Sequence, residues 1–263
     1  MNLRGATTLV TGATGGIGQA IAAKLAAHGS ELVLTGRRAD ILEPMAEKLN
    51  GRAFPADLAD ERAIEALLVA AGPIDVVVAN AALPATGLLA DYSGHQIDRA
   101  LAVNLRAPIL MAKLAGEGMV ARRRGHLVFI NSLSGKTASG YASLYNATKF
   151  GMRGFALALR EDLRTHNVGV STIFPGYVRN AGMFADSGAK LPVGIGTRSP
   201  EDVAGATVRA IERDLAEVDV APWPMRMIGW AGGAAPWLAA AIQRRAGADA
   251  ITAQLAEGQR YKR

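Results

Sequence analysis

In the stretch "LYNATKF", Tyr145 and Lys149 stand four residues apart, the spacing that puts two side chains on one face of a helix. A phenol with an ordinary pKa of about 10 exchanges protons poorly at neutral pH, and a nearby ammonium is expected to lower that value. Such a pair suits proton transfer to or from an alcohol or carbonyl oxygen. Thirteen residues upstream, in "NSLSG", Ser132 closes a strand-like run, where its hydroxyl can donate to the same oxygen and fix it beside the tyrosine. Ser134 is the rival, and the strand-end position favours Ser132. Asn104, in "AVNLRAP", falls in a helical stretch, where a buried amide needs partners.

A second chemistry lies near the start of the chain. "TGATGGIG", Thr11 to Gly18, follows an apolar run and precedes helical spacing at Ile17, Ile21 and Leu25. At a strand-to-helix turn, backbone N–H groups and a helix N-terminus can meet a pyrophosphate. Gly12 would allow the tight turn, Gly16 the approach of backbone to phosphate, and Gly18 the close packing of helix on strand. Two spacings fit: T-G-x-x-x-G-x-G through Gly16, and T-G-x-x-G-x-x-G through Gly15. The next strand-like run ends in "TGRR". A carboxylate there would accept from a ribose 2′-OH; Arg37 and Arg38 instead match a 2′-phosphate, which favours NADP over NAD.

These groups need a scaffold that brings strand ends together. Strands are expected at Thr7–Thr11, Glu31–Thr35, Arg52–Ala56, Asp75–Ala79, Gly125–Asn131, Val168–Phe174 and Val218–Val220. Helices are expected at Gly16–His28, Asp40–Leu49 (with Asp40 as N-cap), Asp60–Ala71, within Ser93–Ala121, at Tyr145–His166 and at Pro200–Ala216. This β-α alternation specifies an α/β protein of the Rossmann type, a single domain with a doubly wound parallel sheet, whose ligands bind at the carboxyl ends of the strands. With 263 residues, half of them hydrophobic, one large core is within reach. The absence of cysteine excludes disulfides, thiolate metal sites and a cysteine nucleophile, and the four histidines have no metal-ligand spacing. The net charge of +6 is dispersed. Arg122-Arg123-Arg124 before Gly125 reads as a helix end with a glycine cap rather than a nucleic-acid patch, since no aromatic platform accompanies it. No signal-peptide pattern opens the chain, so a cytoplasmic protein is expected.

Thr11-Gly12-Gly16-Gly18, Asn80-Ala81, Asn104, Ser132, Tyr145, Lys149 and Pro175-Gly176, in this order and spacing, resemble the compact branch of the short-chain dehydrogenase/reductase family over about Ala6 to Val220. The resemblance implies an oxidoreductase that moves a hydride between a nicotinamide and a carbonyl or secondary alcohol. It implies that Tyr145 is the general acid in reduction and the base in oxidation. Lys149 would hold the nicotinamide ribose, Ser132 the substrate oxygen, and Asn104 a water linking Lys149 to solvent. Asn80 would support the sheet beside the cofactor, Asp57 and Leu58 would contact the adenine, and Val178 the carboxamide. Thr14 and Ile17 join the cofactor set within the glycine turn. The chain departs from the family pattern at Ala82, where glycine is frequent, and at Asn180, where threonine is common. Homo-oligomerisation is a family habit and is expected here.

Residues 1–220 form the expected catalytic domain, and 179–199, rich in Gly, Ala and Ser, its substrate lid. Leu83, Leu133, Tyr141, Met183 and Phe184 would build an apolar pocket for a hydrophobic ketone or alcohol. Residues 221–263 are an extension with Trp223, Trp230 and Trp237 seven apart and with Pro222, Pro224 and Pro236. Its uncharged run, Met227–Ile242, is too short to span a bilayer. The segment is expected to pack over the cleft or in a subunit interface. The sharper reading is weak peripheral membrane contact through 221–245, with Arg226, Arg244 and Arg245 at the surface. A non-catalytic NADP-binding sensor is the alternative function; the intact Ser-Tyr-Lys set argues against it.

Overall fold

The computed structural model describes residues 1–191, 195–235, 241, 244–245 and 247–262. Pro236 and Trp237 lie outside the described residues, as does the centre of the expected lid, 192–194. Seven strands, β1 (Thr7–Thr11), β2 (Glu31–Gly36), β3 (Arg52–Pro55), β4 (Val76–Ala79), β5 (Gly125–Ile130), β6 (Val168–Pro175) and β7 (Glu217–Val220), form one sheet in the order β3-β2-β1-β4-β5-β6-β7. All pairs are parallel, so both faces need covering and the strands read as apolar runs.

Successive side chains along a strand alternate between faces. Val10, Val78, Val128 and Ile173 meet α1 (Gly16–Ala27), α2 (Ala39–Lys48) and α8 (Pro200–Arg213) on one side. Leu9, Val77, Leu127 and Val170 meet α3 (Glu61–Ala71), α5 (Ala107–Arg122) and α6 (Ser143–Leu163) on the other. The remaining helices are α4 (Gly94–Leu101), α7 (Gly182–Ser187), α9 (Trp223–Ala234) and α10 (Ala248–Gly258). The strand order reverses between β1 and β4, the switch point where such sheets bind ligands.

Two helix ends differ from expectation. The N-cap of α2 is Arg38, without a side-chain cap, and Asp40 sits inside the first turn as a charge favourable to the dipole. Helix α5 ends with Arg123 itself in the left-handed conformation (φ 51°), and Gly125 begins β5. Gly125 is needed for space, because a Cβ there would collide with the Met119 side chain. The three arginines are engaged: Arg122 donates to Ile74 O, Arg123 to Thr165 O, and Arg124 pairs with Asp75.

Candidate active site

The turn after β1 is built by steric need. A Cβ on Gly12 (φ +61°) would lie 2.8 Å from Ala81 Cα, and one on Gly18 would collide with the Gly12 carbonyl. A Cβ on Gly16 would meet the Ala181 methyl of the lid, whereas on Gly15 its nearest neighbour would be 3.4 Å away. Geometry therefore selects the T-G-x-x-x-G-x-G spacing. Thr11 Oγ1 accepts from the N–H groups of Asn80 and Ala81, both at 3.0 Å, while Asn80 Nδ2 donates to Thr11 O (2.9 Å) and Gly12 O (3.2 Å). Thr11 and Asn80 thus tie the glycine turn to the end of β4. Helix α1 begins at Gly16 with no side-chain cap and no acidic residue in its first turn, so its N-terminal N–H groups and positive dipole end suit an anion.

A cavity of about 980 Å³ runs along the strand ends. Thr14, Ile17, Arg37, Arg38, Asp57 and Leu58 are in its lining. Arg38 Nη2 donates to Thr14 O at 2.7 Å, which holds this exposed guanidinium over the glycine turn. Partial burial opposes ionisation of Asp57. It is outweighed by a hydrogen bond from Arg99 at 2.7 Å, the Ala59 N–H and the nearby charge of Arg37, so the carboxyl lies below its usual range. Asp40 is not part of the lining.

Ser132, Tyr145 and Lys149 all line this cavity. Ser132 Oγ accepts from Ser134 N at 3.1 Å, and the Ser132 side chain lies beside the Tyr145 phenol, whose ionised form it favours. The turn that carries Ser132 is clamped to α6 by Asn131: its Oδ1 accepts from Ser132 N (2.9 Å) and its Nδ2 donates to Lys149 O (3.1 Å). Asn146 adds bonds to Ser134 O and Thr137 O. The Lys149 ammonium lies 5.6 Å from the Tyr145 ring centre and donates to Ile130 O at 3.2 Å.

The expected lowering of the Tyr145 pKa is corrected here. Burial pushes the phenol up to about 12 against the Ser132 hydrogen bond, and burial brings Lys149 down to about 8. Desolvation of both groups outweighs their mutual attraction. Tyr145 is therefore held as a neutral phenol, the form that donates a proton.

Asn104 lies in a π-helical stretch, Ala102–Arg106, between α4 and α5. Its amide is spent on one neighbour: Oδ1 accepts from Leu83 N (2.6 Å) and Nδ2 donates to Leu83 O (2.9 Å). It thereby fixes the loop after β4 to the junction of α4 and α5; a single extra residue in a helix is a frequent device at functional sites. Pro175, Gly176 and Val178, at the end of β6, line the same cavity. Leu83, Leu133, Met183 and Phe184 form apolar wall, with Phe184 tilted on Tyr177 at 5.0 Å. Tyr141 does not join them. Its backbone is left-handed (φ 56°), its carbonyl accepts from Gly87 N, and its side chain is exposed outside the lining. Asn180, also left-handed (φ 65°), bends the chain into the lid rather than lining the cavity.

The extension supplies wall residues that sequence reasoning missed: Met225 and Ile228 from α9, Ile251 and Leu255 from α10, and Gln259 beyond it. Buried Gln259 accepts from Thr86 Oγ1 (2.7 Å) and donates to Met183 O (2.9 Å), joining the loop after β4 to α7. No motif announces these contacts; the one signal was the apolar character of the segment.

A profile for short chain dehydrogenases matches residues 6–191. The ketoacyl reductase HetN of a Nostoc species is 34% identical over 227 residues, covering 83% of this chain and 79% of the relative. The cattle dehydrogenase/reductase SDR family member 7B is 31% identical over 245 residues, covering 84% and 75%. Among solved structures, a metagenomic short-chain oxidoreductase in complex with NADP superposes with a TM-score of 0.68 at 32% identity, covering 84% of this chain and 98% of that one. A serine dehydrogenase complexed with NADP+ gives 0.75 at 28% identity, covering 82% and 94%. The chain belongs to the short-chain dehydrogenase/reductase family, and it is an oxidoreductase that binds a nicotinamide cofactor.

Among the described residues no group of His, Cys, Asp and Glu is arranged to hold a metal ion. The donor set fits a dinucleotide instead: a turn with no room for a Cβ at Gly12, Gly16 or Gly18, an uncapped helix N-terminus, and one cavity that also takes in Ser132, Tyr145 and Lys149.

Proposed function

We propose that this enzyme is an NADPH-dependent carbonyl reductase whose substrate is an apolar ketone, or the corresponding secondary alcohol in reverse. One observation carries the reading. A single cavity is lined by two exposed arginines, by a buried phenol with a serine beside it, and by apolar side chains. Arg37 and Arg38 would hold a 2′-phosphate; the first turn of α1 would hold the pyrophosphate; Lys149 would hold the nicotinamide ribose. When bound, the nicotinamide supplies or accepts the hydride.

The residues of the chain do the rest. Ser132 and Tyr145, both in the cavity lining, present two hydroxyls to one carbonyl oxygen and orient it. Tyr145, kept protonated by burial, gives its proton to that oxygen as negative charge develops on it. Ammonium at Lys149 compensates the phenolate left behind, and the apolar walls exclude water. The two NADP-bound neighbours support the cofactor choice, and the ketoacyl reductase relative supports a carbonyl substrate.

The test is a substrate panel. Purified protein is offered NADPH and NADH with apolar ketones, polar hydroxy acids and aldehydes. The reading requires NADPH oxidation with apolar ketones. Turnover of small polar hydroxy acids alone, or preference for NADH, would overturn it.

A further inference from the structure

Helix α9 is apolar on two sides, and the protein covers one of them. Its inner face is set against the catalytic turn: a Cβ on Gly229 would lie 3.2 Å from Leu133 Cδ2, and one on Gly232 would lie 2.6 Å from Lys136 O. Met225 and Ile228 of the same face line the cavity. The outer face carries Trp223, Met227 and Trp230 at i, i+4 and i+7, with solvent exposures of 66%, 42% and 73%. None of these three lines the cavity. A helix apolar on two sides is ordinarily buried on both, and among the described residues the outer face lacks that cover.

The chemistry around this face indicates what covers it. Arg226 flanks the tryptophans and is exposed. From Ala221 to Ala248 the chain has three arginines and no acid. Indole rings with cations beside them suit the boundary between headgroups and acyl chains, where the ring is half apolar and the cation meets anionic lipid. Among the described residues no helix is long and apolar enough to cross a membrane, so the contact is peripheral.

We propose that α9 docks the enzyme on an anionic lipid surface, with its outer face in the interface and its inner face forming the cavity wall. Only the width of one helix, about 10 Å, then separates lipid from the catalytic turn. An apolar ketone dissolved in the membrane would pass along α9 to Ser132 and Tyr145 without crossing bulk water. This substrate route rests on the carbonyl reductase reading; the docking itself does not.

Flotation of the full-length protein separates the two. Vesicles of phosphatidylcholine alone are compared with vesicles containing about one-third phosphatidylglycerol, at low and high salt. Docking requires flotation with the anionic vesicles that weakens with salt. The double variant Trp223→Ser/Trp230→Ser should lose at least about tenfold in bound fraction, and Arg226→Glu about as much. Both variants should keep NADPH binding and turnover of a water-soluble ketone unchanged. Wild-type protein that stays in the soluble fraction with both vesicles would overturn the proposal. So would tryptophan variants that float like wild type. A dimer in light scattering that the double variant dissolves, with no flotation, would overturn it in favour of a second copy of this chain as the cover. Flotation without turnover of any carbonyl would support docking and sink the reductase reading alone.

Discussion

Lys149 is an ionised amine in a place that disfavours its charge, and this has a measurable consequence for folding. Burial lowers its pKa from 10.5 to about 8 in the folded chain. A group with a depressed cationic pKa gains stability as pH rises from the folded value towards the unfolded one, because the unfolded chain then holds more protons. The gap between these two values corresponds to about 3 kcal/mol in total, of which about 2 kcal/mol is gained between about pH 7 and 9.5. Lys149→Met deletes the titration, so the stability difference between wild type and variant isolates it from every other group. Urea unfolding of both proteins, without cofactor, across that pH window is the assay. Wild type should gain about 2 kcal/mol relative to the variant, as the ammonium is released from its buried site. A difference that stays constant with pH would refute the reasoning, since it would mean that the ammonium is as well solvated in the folded chain as outside it. The penalty at neutral pH is the stability that the site gives up to keep a cation beside Tyr145.

Three further outcomes are expected. Arg37→Ala/Arg38→Ala should weaken NADPH by about 30- to 160-fold and leave NADH nearly unchanged, from about 1 to 1.5 kcal/mol per exposed charge-assisted contact after screening; equal loss for both cofactors in KM would contradict it. Gly18→Ala should lower stability by about 1–3 kcal/mol and cofactor affinity with it, because the new methyl meets the Gly12 carbonyl and also Ala13 Cα at 2.9 Å, whereas Gly15→Ala should be close to neutral by thermal melting. His126 is buried, and its imidazole, hydrogen-bonded to Ser171 Oγ at 2.8 Å, has its pKa lowered from 6.5 to about 4 by burial. Its contribution is therefore present above pH 6.5 and lost as pH falls through 4, about 3 kcal/mol by that point, and His126→Gln should flatten this part of the acid-unfolding curve.

What the sequence revealed was local. The seven strands, the switch from strand to helix at Gly16 and the Pro200 helix start follow from residue period and turn chemistry, and the structure places each within a few residues of expectation. The glycine spacing became unambiguous only when Gly16 was seen against Ala181, a contact across 165 positions. Ser132, Tyr145 and Lys149 were legible because their types and spacing are themselves the chemistry. The direction of the Tyr145 shift was not, because burial depends on everything packed around the site. Asn131 and Gln259 escaped notice for the same reason: an amide shows its role only when the backbone groups it bonds are brought to it. Tyr141 was misplaced because an aromatic near the catalytic turn says nothing about a left-handed backbone that turns it outward.

The most direct test of the account is the rate of NADPH oxidation with an apolar ketone, wild type against Tyr145→Phe. The phenylalanine keeps the ring in its packing but removes the proton that the site holds in place. The account predicts turnover in wild type and a loss of about 100-fold or more in kcat for the variant, with NADPH affinity retained. Equal turnover by the two proteins would contradict it, because the carbonyl oxygen would then be taking its proton from elsewhere.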